Sequence, residues 1–234
     1  MKTTSENSSC SINEKSACCS PKETKPNNDL IAHWDSAYEK SPIEKLGWYE
    51  KIPEPTIELL NKCQLTKHAH ILNVGAGATT FVDVLCQLSY TNITANDISV
   101  KSLNFLKRRL GTEKSKQVKW IVDDLTNSNT LDKIAPVDLW YDRAVFHFFT
   151  EQKDQNVYMN LLSKLVKPKG YVILAAFNLE GATTCSGLPV KQYDQTMLQN
   201  QMGNSFTLLE SFDYTYSMPS GATREYVYTL FQRK

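Results

Sequence analysis

Gly75 and Gly77 stand two residues apart behind the apolar run "ILNV", and an acid, Asp97, follows them. The gap of about 20 residues between turn and acid suits holding a ligand more than making a bond. In such a turn the first glycine allows a tight bend and the second lets backbone N–H groups approach a ligand, while a third mainly permits close helix packing. Gly75 and Gly77 keep the first two roles, and Ala78, in the third position, is small enough not to block the loop. A carboxylate at Asp97 can accept both hydroxyls of a sugar. Asn73, a neutral amide rather than an acid ahead of the turn, is the off-pattern residue.

The surrounding segments supply the elements that such a loop needs. "AHILNVG" reads as a short buried strand and "TTFVDVLCQL" as a helix with apolar residues at 81, 82, 84, 85 and 88. "NITAND" is a second strand closing on Asp97, and "SVKSLNFLKRRLG" a helix capped by Ser99 and stopped by Gly111. "VKWIVDD" and "VDLWYDRAVF" are a third and a fourth strand. "DQNVYMNLLSKLV" is a further helix, and Lys167, Pro168, Lys169 and Gly170 form the break before the strand "YVILAAF". Strands separated by helices at this interval imply right-handed crossovers and a parallel, doubly wound sheet. "SFTLLESFDYTY" and "REYVYTLFQR" are separated only by "SMPSGAT", which is too short for a crossover helix, so they form an antiparallel hairpin. The expected fold is α/β, with a seven-stranded, mostly parallel sheet that ends in this hairpin.

Ahead of the first strand, residues 29–66 read as two helices around an aromatic loop, a helical lid over the ligand edge of the sheet. Trp34 and Tyr38, at helical i, i+4 spacing, suit core packing as well as a ligand wall. Trp48 and Tyr49, beside Gly47 in a loop, are better placed as wall. Residues 1–28 offer almost nothing to bury, so a disordered tail is expected before one domain over 29–234. Cys10, Cys18 and Cys19 in that tail are either a soft-metal, metalloid or redox site or incidental thiols, and the second reading carries more weight. No metal site is expected. Cys63, Cys86 and Cys185 are scattered and do not form a secreted disulfide framework. A net charge of +1 gives no bulk electrostatic case for nucleic acid or an anionic membrane. No run reaches the roughly 18 to 20 apolar residues of a membrane span, and no signal-peptide h-region is present, so a cytoplasmic location is expected.

With strand, turn, helix and distant acid in register, the glycine pair points to an adenosine-containing ligand, either a dinucleotide or S-adenosylmethionine. A dehydrogenase usually starts with its glycine loop and carries a substrate domain after it. Here about 70 residues precede the loop and a hairpin follows, which fits a methyltransferase. From residue 30 onward the sequence resembles the class I S-adenosylmethionine-dependent methyltransferases. "ILNVGAGAT" is similar to the first motif of that family, Asp97 to its second-strand acid and "WIVDDLT" to its third-strand segment. "DLWYDRAVFHFF" is similar to the fourth-strand motif, and "LVKPKGYVIL" to the motif opening the fifth strand.

The resemblance implies that Gly75 and Gly77, with Ala76 between them, pass under the methionine part of the cofactor, and that Asn73 lies near its amino group. Asp97 with Ile98 meets the ribose, and Asp124 with Leu125 meets the adenine in preference to Asp123. Asp142 and His147 are expected to face the transferring methyl group as candidate bases, and Asp142 to reach the cofactor as well. The alternative is that His147 only packs beside aromatics. Arg143 is expected to hold an acidic group of the substrate or to pair with an Asp. The lid segments "HWDSAYEK" and "LGWYE" resemble a branch that includes lysine-modifying, thiol-modifying and other small-molecule enzymes. The C-terminal "YTYSMPSGATREYVYTLFQR" resembles bacterial small-molecule members. The expected acceptor is therefore a small molecule, with a protein lysine, a thiol or metalloid, or an inactive cofactor-binding module as alternatives.

Overall fold

The computed structural model describes Met1 and residues 28–234. Cys10, Cys18 and Cys19, with the expectation of a disordered tail, lie outside the described residues. The sheet strands are β1 (His70–Val74), β2 (Asn92–Asp97), β3 (Val118–Val122), β4 (Val137–Arg143), β5 (Val166–Phe177), β6 (Phe206–Ser217) and β7 (Thr223–Arg233). Around them run helices α1 (Asn28–Lys40), α2 (Glu54–Lys62), α3 (Phe81–Gln87), α4 (Val100–Ser115), α5 (Gln152–Leu165) and α6 (Gln195–Met202). Their order across the sheet is β3-β2-β1-β4-β5-β7-β6, with β1 to β5 parallel and β7 antiparallel to both of its neighbours. This is the doubly wound, seven-stranded sheet with a terminal hairpin that the sequence implies.

Strand alternation divides the core in two. Ile71, Leu139, Tyr141, Ile173, Tyr226 and Tyr228 pack on one face with Leu59, Phe81, Leu85 and Leu103 of α2, α3 and α4. Leu72, Trp140, Val172, Leu174 and Val227 pack on the other with Tyr158 and Leu162 of α5 and Leu198 of α6. Successive side chains of a strand point to opposite faces, and a parallel sheet is covered on both, so the strands read as nearly continuous apolar runs. Each fully buried Leu or Ile contributes roughly 1.5–3 kcal/mol.

Three features differ from the sequence reading. Lys167, Pro168, Lys169 and Gly170 do not precede β5 but bulge within it, because Val137 already pairs with Val166 before the register resumes at Leu139 and Tyr171. Lys167 Nζ, 2.8 Å from both oxygens of Asp138, staples this bulge, and Lys169 takes φ +64°. Ser99 caps α4 as expected by accepting from the Ser102 N–H, and Gly111 (φ +73°) ends its regular part, although one further turn continues to Ser115. Helix α6 has no counterpart in the sequence reading.

Candidate active site

The carboxyl ends of β1, β2 and β4 and the loop after β3 open into one cleft, roofed by α1 and the loop that follows it. In the turn after β1, Gly75, which lines the cleft, and Gly77 behind it take φ +53° and +52°, a region that side-chain-bearing residues rarely occupy. A Cβ on Gly75 would stand 2.1 Å from Val145 Cγ2, and one on Gly77 would stand 2.2 Å from the Tyr38 hydroxyl. The Ala76 N–H donates to the Asn96 carbonyl at 2.8 Å, which fixes the turn to β2.

Asp97 closes this turn from the other side. Its Oδ2 accepts from the Gly77 N–H at 2.7 Å and its Oδ1 from the Ser99 N–H at 2.8 Å. Burial pushes its carboxyl up to about 6 against the pull of these N–H groups, and Asp35 on α1 raises it further. Asp35 in turn accepts from the Ser99 hydroxyl at 2.6 Å, so α1 is tied to the same corner. Asn73 is 2% exposed. Its Nδ2 donates to the Val74 carbonyl, and its Oδ1 is buried with no hydrogen-bond partner. The two acids after β3 separate by geometry. Asp123 is taken up in binding its own loop, accepting from the N–H groups of Asn129, Thr130 and Leu131 and from the Ser128 hydroxyl. Those bonds hold its carboxyl below the usual range although burial opposes them. Asp124 lines the cleft with one oxygen on Thr126, and Ile98 and Leu125 line it too.

On the β4 side of β1 the walls are side chains from distant segments. Trp34 meets Trp48 and Phe148 edge to face, and the Trp48 indole N–H donates to the Tyr38 hydroxyl at 3.2 Å. The three successive carbonyls of the loop ahead of α2 are each held from a different place. Arg143 Nη1 donates to Trp48 O at 3.1 Å, the Tyr216 hydroxyl to Tyr49 O, and the Thr80 hydroxyl to Glu50 O at 2.8 Å. Arg143 pairs with Glu50 rather than with an Asp: its Nε lies 3.0 Å from Glu50 Oε2, with the two side chains only 8% and 9% exposed. Burial raises the Glu50 carboxyl, and the guanidinium pulls it back down. Arg143 also donates to the Tyr228 hydroxyl at 3.0 Å and lies over the rings of Tyr216 and Tyr226.

Neither Asp142 nor His147 lines this cleft. Strand alternation is the reason for Asp142. Tyr141 and Arg143 point to the cleft face, so Asp142 points to the opposite one, where it accepts from the N–H groups of Val145 and Phe146 and from the Tyr158 hydroxyl at 2.6 Å. Burial there pushes its carboxyl up to about 7. His147 sits in the 3₁₀ turn Phe146–Phe148, in which residues three apart share a face. Val145 and Phe148 take the cleft face, and His147 turns back against Phe177. Burial and the nearby Arg143 lower its imidazole to about 3, so it stays neutral.

Glu50, Tyr141, Phe148 and Cys185 join the cleft without having been singled out in the sequence. Glu50 had one usable signal, its place beside Trp48 and Tyr49. Burial pushes the Cys185 thiol up to about 11.

A family model described as a methyltransferase domain matches residues 65–233, most of the chain. The chain belongs to this methyltransferase-domain family. It is an S-adenosylmethionine-dependent methyltransferase of class I. It is 23% identical over 191 residues to human EEF1A lysine methyltransferase 2, covering 76% of this chain and 74% of that one. A solved S-adenosylmethionine-dependent methyltransferase from Anabaena variabilis superposes with a TM-score of 0.72 at 12% identity, covering 94% of this methyltransferase and 100% of its own chain. The 1,6-didemethyltoxoflavin-N1-methyltransferase of Burkholderia thailandensis, solved with 1,6-didemethyltoxoflavin and S-adenosylhomocysteine, superposes with a TM-score of 0.63 at 14% identity, covering 88% and 86%. Among the described residues no helix is long and apolar enough to cross a membrane.

Proposed function

We propose that this methyltransferase acts on a small-molecule acceptor, with the cofactor on the β2 side of β1 and the acceptor on the β4 side. S-adenosylmethionine supplies a methyl group on a sulfonium, which is already a good leaving group. The chain has to hold the two partners close and aligned. Three features fit the cofactor. The turn of Gly75, Ala76 and Gly77 has no room for side chains at either glycine, and Asp97 is a buried carboxylate positioned for sugar hydroxyls. The orphaned Asn73 Oδ1 is an acceptor suited to an ammonium. Ile98, Leu125 and Asp124 flank the adenine, and Asp123 is left to hold its own loop.

The observation that carries the small-molecule reading is Arg143 on the β4 side of an aromatic-walled cleft. Paired with Glu50, this guanidinium leaves no net negative charge to draw the ammonium of a lysine, and it offers a donor to an oxygen of a neutral acceptor. Trp34, Trp48, Tyr49 and Phe148 supply flat apolar walls, and Tyr38 braces them through the Trp48 indole. Because Asp142 and His147 face away, Glu50 takes the role of proton acceptor in this reading. The second reading, a protein lysine, is favoured by the 23% identity to EEF1A lysine methyltransferase 2. Incubation of the protein with methyl-labelled cofactor and a cell lysate separates the two. Label in the low-mass extract supports the small molecule, and label confined to protein overturns it.

A further inference from the structure

Arg143 holds a hydrogen-bond donor that the fold does not use. Of its five N–H groups, Nε serves Glu50 and Tyr228, Nη1 serves the Trp48 carbonyl, and Nη2 is buried with no partner. A buried donor left unpaired costs about 1–3 kcal/mol, and the side chain carrying this one lines the cleft. Beside it stands the Glu50 carboxylate, which accepts. The other acids of the cleft are engaged elsewhere: Asp97 with the glycine turn, Asp123 with its own loop, and Asp124 with Thr126. The tyrosines that feel the Glu50 charge, Tyr141, Tyr214, Tyr216, Tyr226 and Tyr228, all have hydroxyls raised above their ordinary value, so they stay neutral around it.

We infer that Arg143 and Glu50 together form a donor–acceptor edge that reads a planar heterocycle through a cis-lactam, a ring C=O beside a ring N–H. This rests on the small-molecule reading and narrows it to one chemical class. The lactam oxygen accepts from Arg143 Nη2 and the ring N–H donates to Glu50. The charge of the pair is internally balanced, so a neutral edge fits it best. A carboxylate in the same place meets the Glu50 charge, and an ammonium meets the guanidinium. The flat ring lies among Trp34, Trp48 and Phe148, which already meet one another edge to face.

The test is calorimetric titration of the full-length protein, saturated with S-adenosylhomocysteine, using 2-quinolinone as the probe. One-to-one binding at millimolar or tighter affinity is expected, at least tenfold weaker for N-methyl-2-quinolinone and for quinoline-2-carboxylate. Arg143→Lys is expected to weaken 2-quinolinone binding at least tenfold and Glu50→Gln at least fivefold, with affinity for S-adenosylhomocysteine within threefold of the native value. No binding of 2-quinolinone, or equal binding of its N-methyl form, overturns the inference. Should either variant fail to fold, the comparison of the three ligands on the native chain decides it alone. A native chain that does not bind S-adenosylhomocysteine overturns the underlying assignment of the site, whereas one that binds it and ignores 2-quinolinone overturns this inference only.

Discussion

The two sides of the cleft are built by opposite means. On the β2 side the contacts are backbone: a turn of three residues, the N–H groups of Gly77 and Ser99, and one acid at the end of the neighbouring strand. On the β4 side they are side chains drawn from sequence-distant places: Trp34 from α1, Glu50 from the loop after it, Phe148 from a 3₁₀ turn and Arg143 from β4, which Tyr228 of β7 braces from behind. The first kind of site depends on local conformation and is rigid once the sheet forms. The second depends on tertiary packing, so its shape can change while the sheet stays as it is, which is how one fold comes to serve many acceptors.

The largest effect expected from this contrast is on the β4 side. Arg143→Ala leaves the buried Glu50 carboxylate unpaired, and loss of one partner of a buried pair costs about 3–5 kcal/mol. Urea unfolding measures it. A loss below 1 kcal/mol would mean that the pair is solvated and that the packing described here is too tight.

Gly77→Ala probes the backbone side. It places a Cβ 2.2 Å from the Tyr38 hydroxyl at φ +52°, strain of order 1–3 kcal/mol. S-adenosylhomocysteine affinity is expected to fall at least tenfold, and Tyr38→Phe in the same chain should recover part of the loss by removing the clashing oxygen. No recovery would assign the whole effect to the backbone.

A pH titration sharpens the contrast further. With the Asp97 carboxyl raised to about 6, the free protein holds that proton more tightly than the unfolded chain, so this group lowers stability as pH rises from about 4 towards 6. In the proposed site cofactor binding has the opposite sign, because sugar hydroxyls held by Asp97 would need its ionised form. Affinity is expected to fall by up to tenfold, about 1.4 kcal/mol, for each pH unit below 6. A flat affinity between pH 5 and 7 would detach Asp97 from the cofactor.

The smallest effect is expected at His147. The imidazole is neutral, fully buried and turned away from the cleft, so His147→Leu should change methyl transfer by less than threefold and stability by about 1 kcal/mol or less. A hundredfold loss of turnover would return His147 to the cleft.

The same contrast explains what was legible beforehand. The β2 side is contiguous in sequence, so Gly75, Gly77 and Asp97 announced it through spacing alone, and the alternation of helix and strand segments announced the sheet. On the β4 side spacing misled. Asp142 and Arg143 are neighbours in sequence, yet strand pleating sends them to opposite faces of the sheet. His147 and Phe148 are likewise adjacent, and the 3₁₀ turn chooses between them. Glu50 is paired across 93 positions of sequence with Arg143, a contact that no local pattern encodes. Tyr226 and Tyr228 carried a weak signal, since alternate residues of one strand share a face, but nothing in the sequence said that the face was that of Arg143.

The most direct measurement of the central claim, that the turn of Gly75 and Gly77 with Asp97 forms the cofactor side of the cleft, is calorimetric titration with S-adenosylhomocysteine of the native chain and of Asp97→Ala, matched by circular dichroism. Micromolar binding by the native chain and at least hundredfold weaker binding by the variant are expected. Equal affinity in the two proteins, or no binding by the native chain at millimolar ligand, would contradict it.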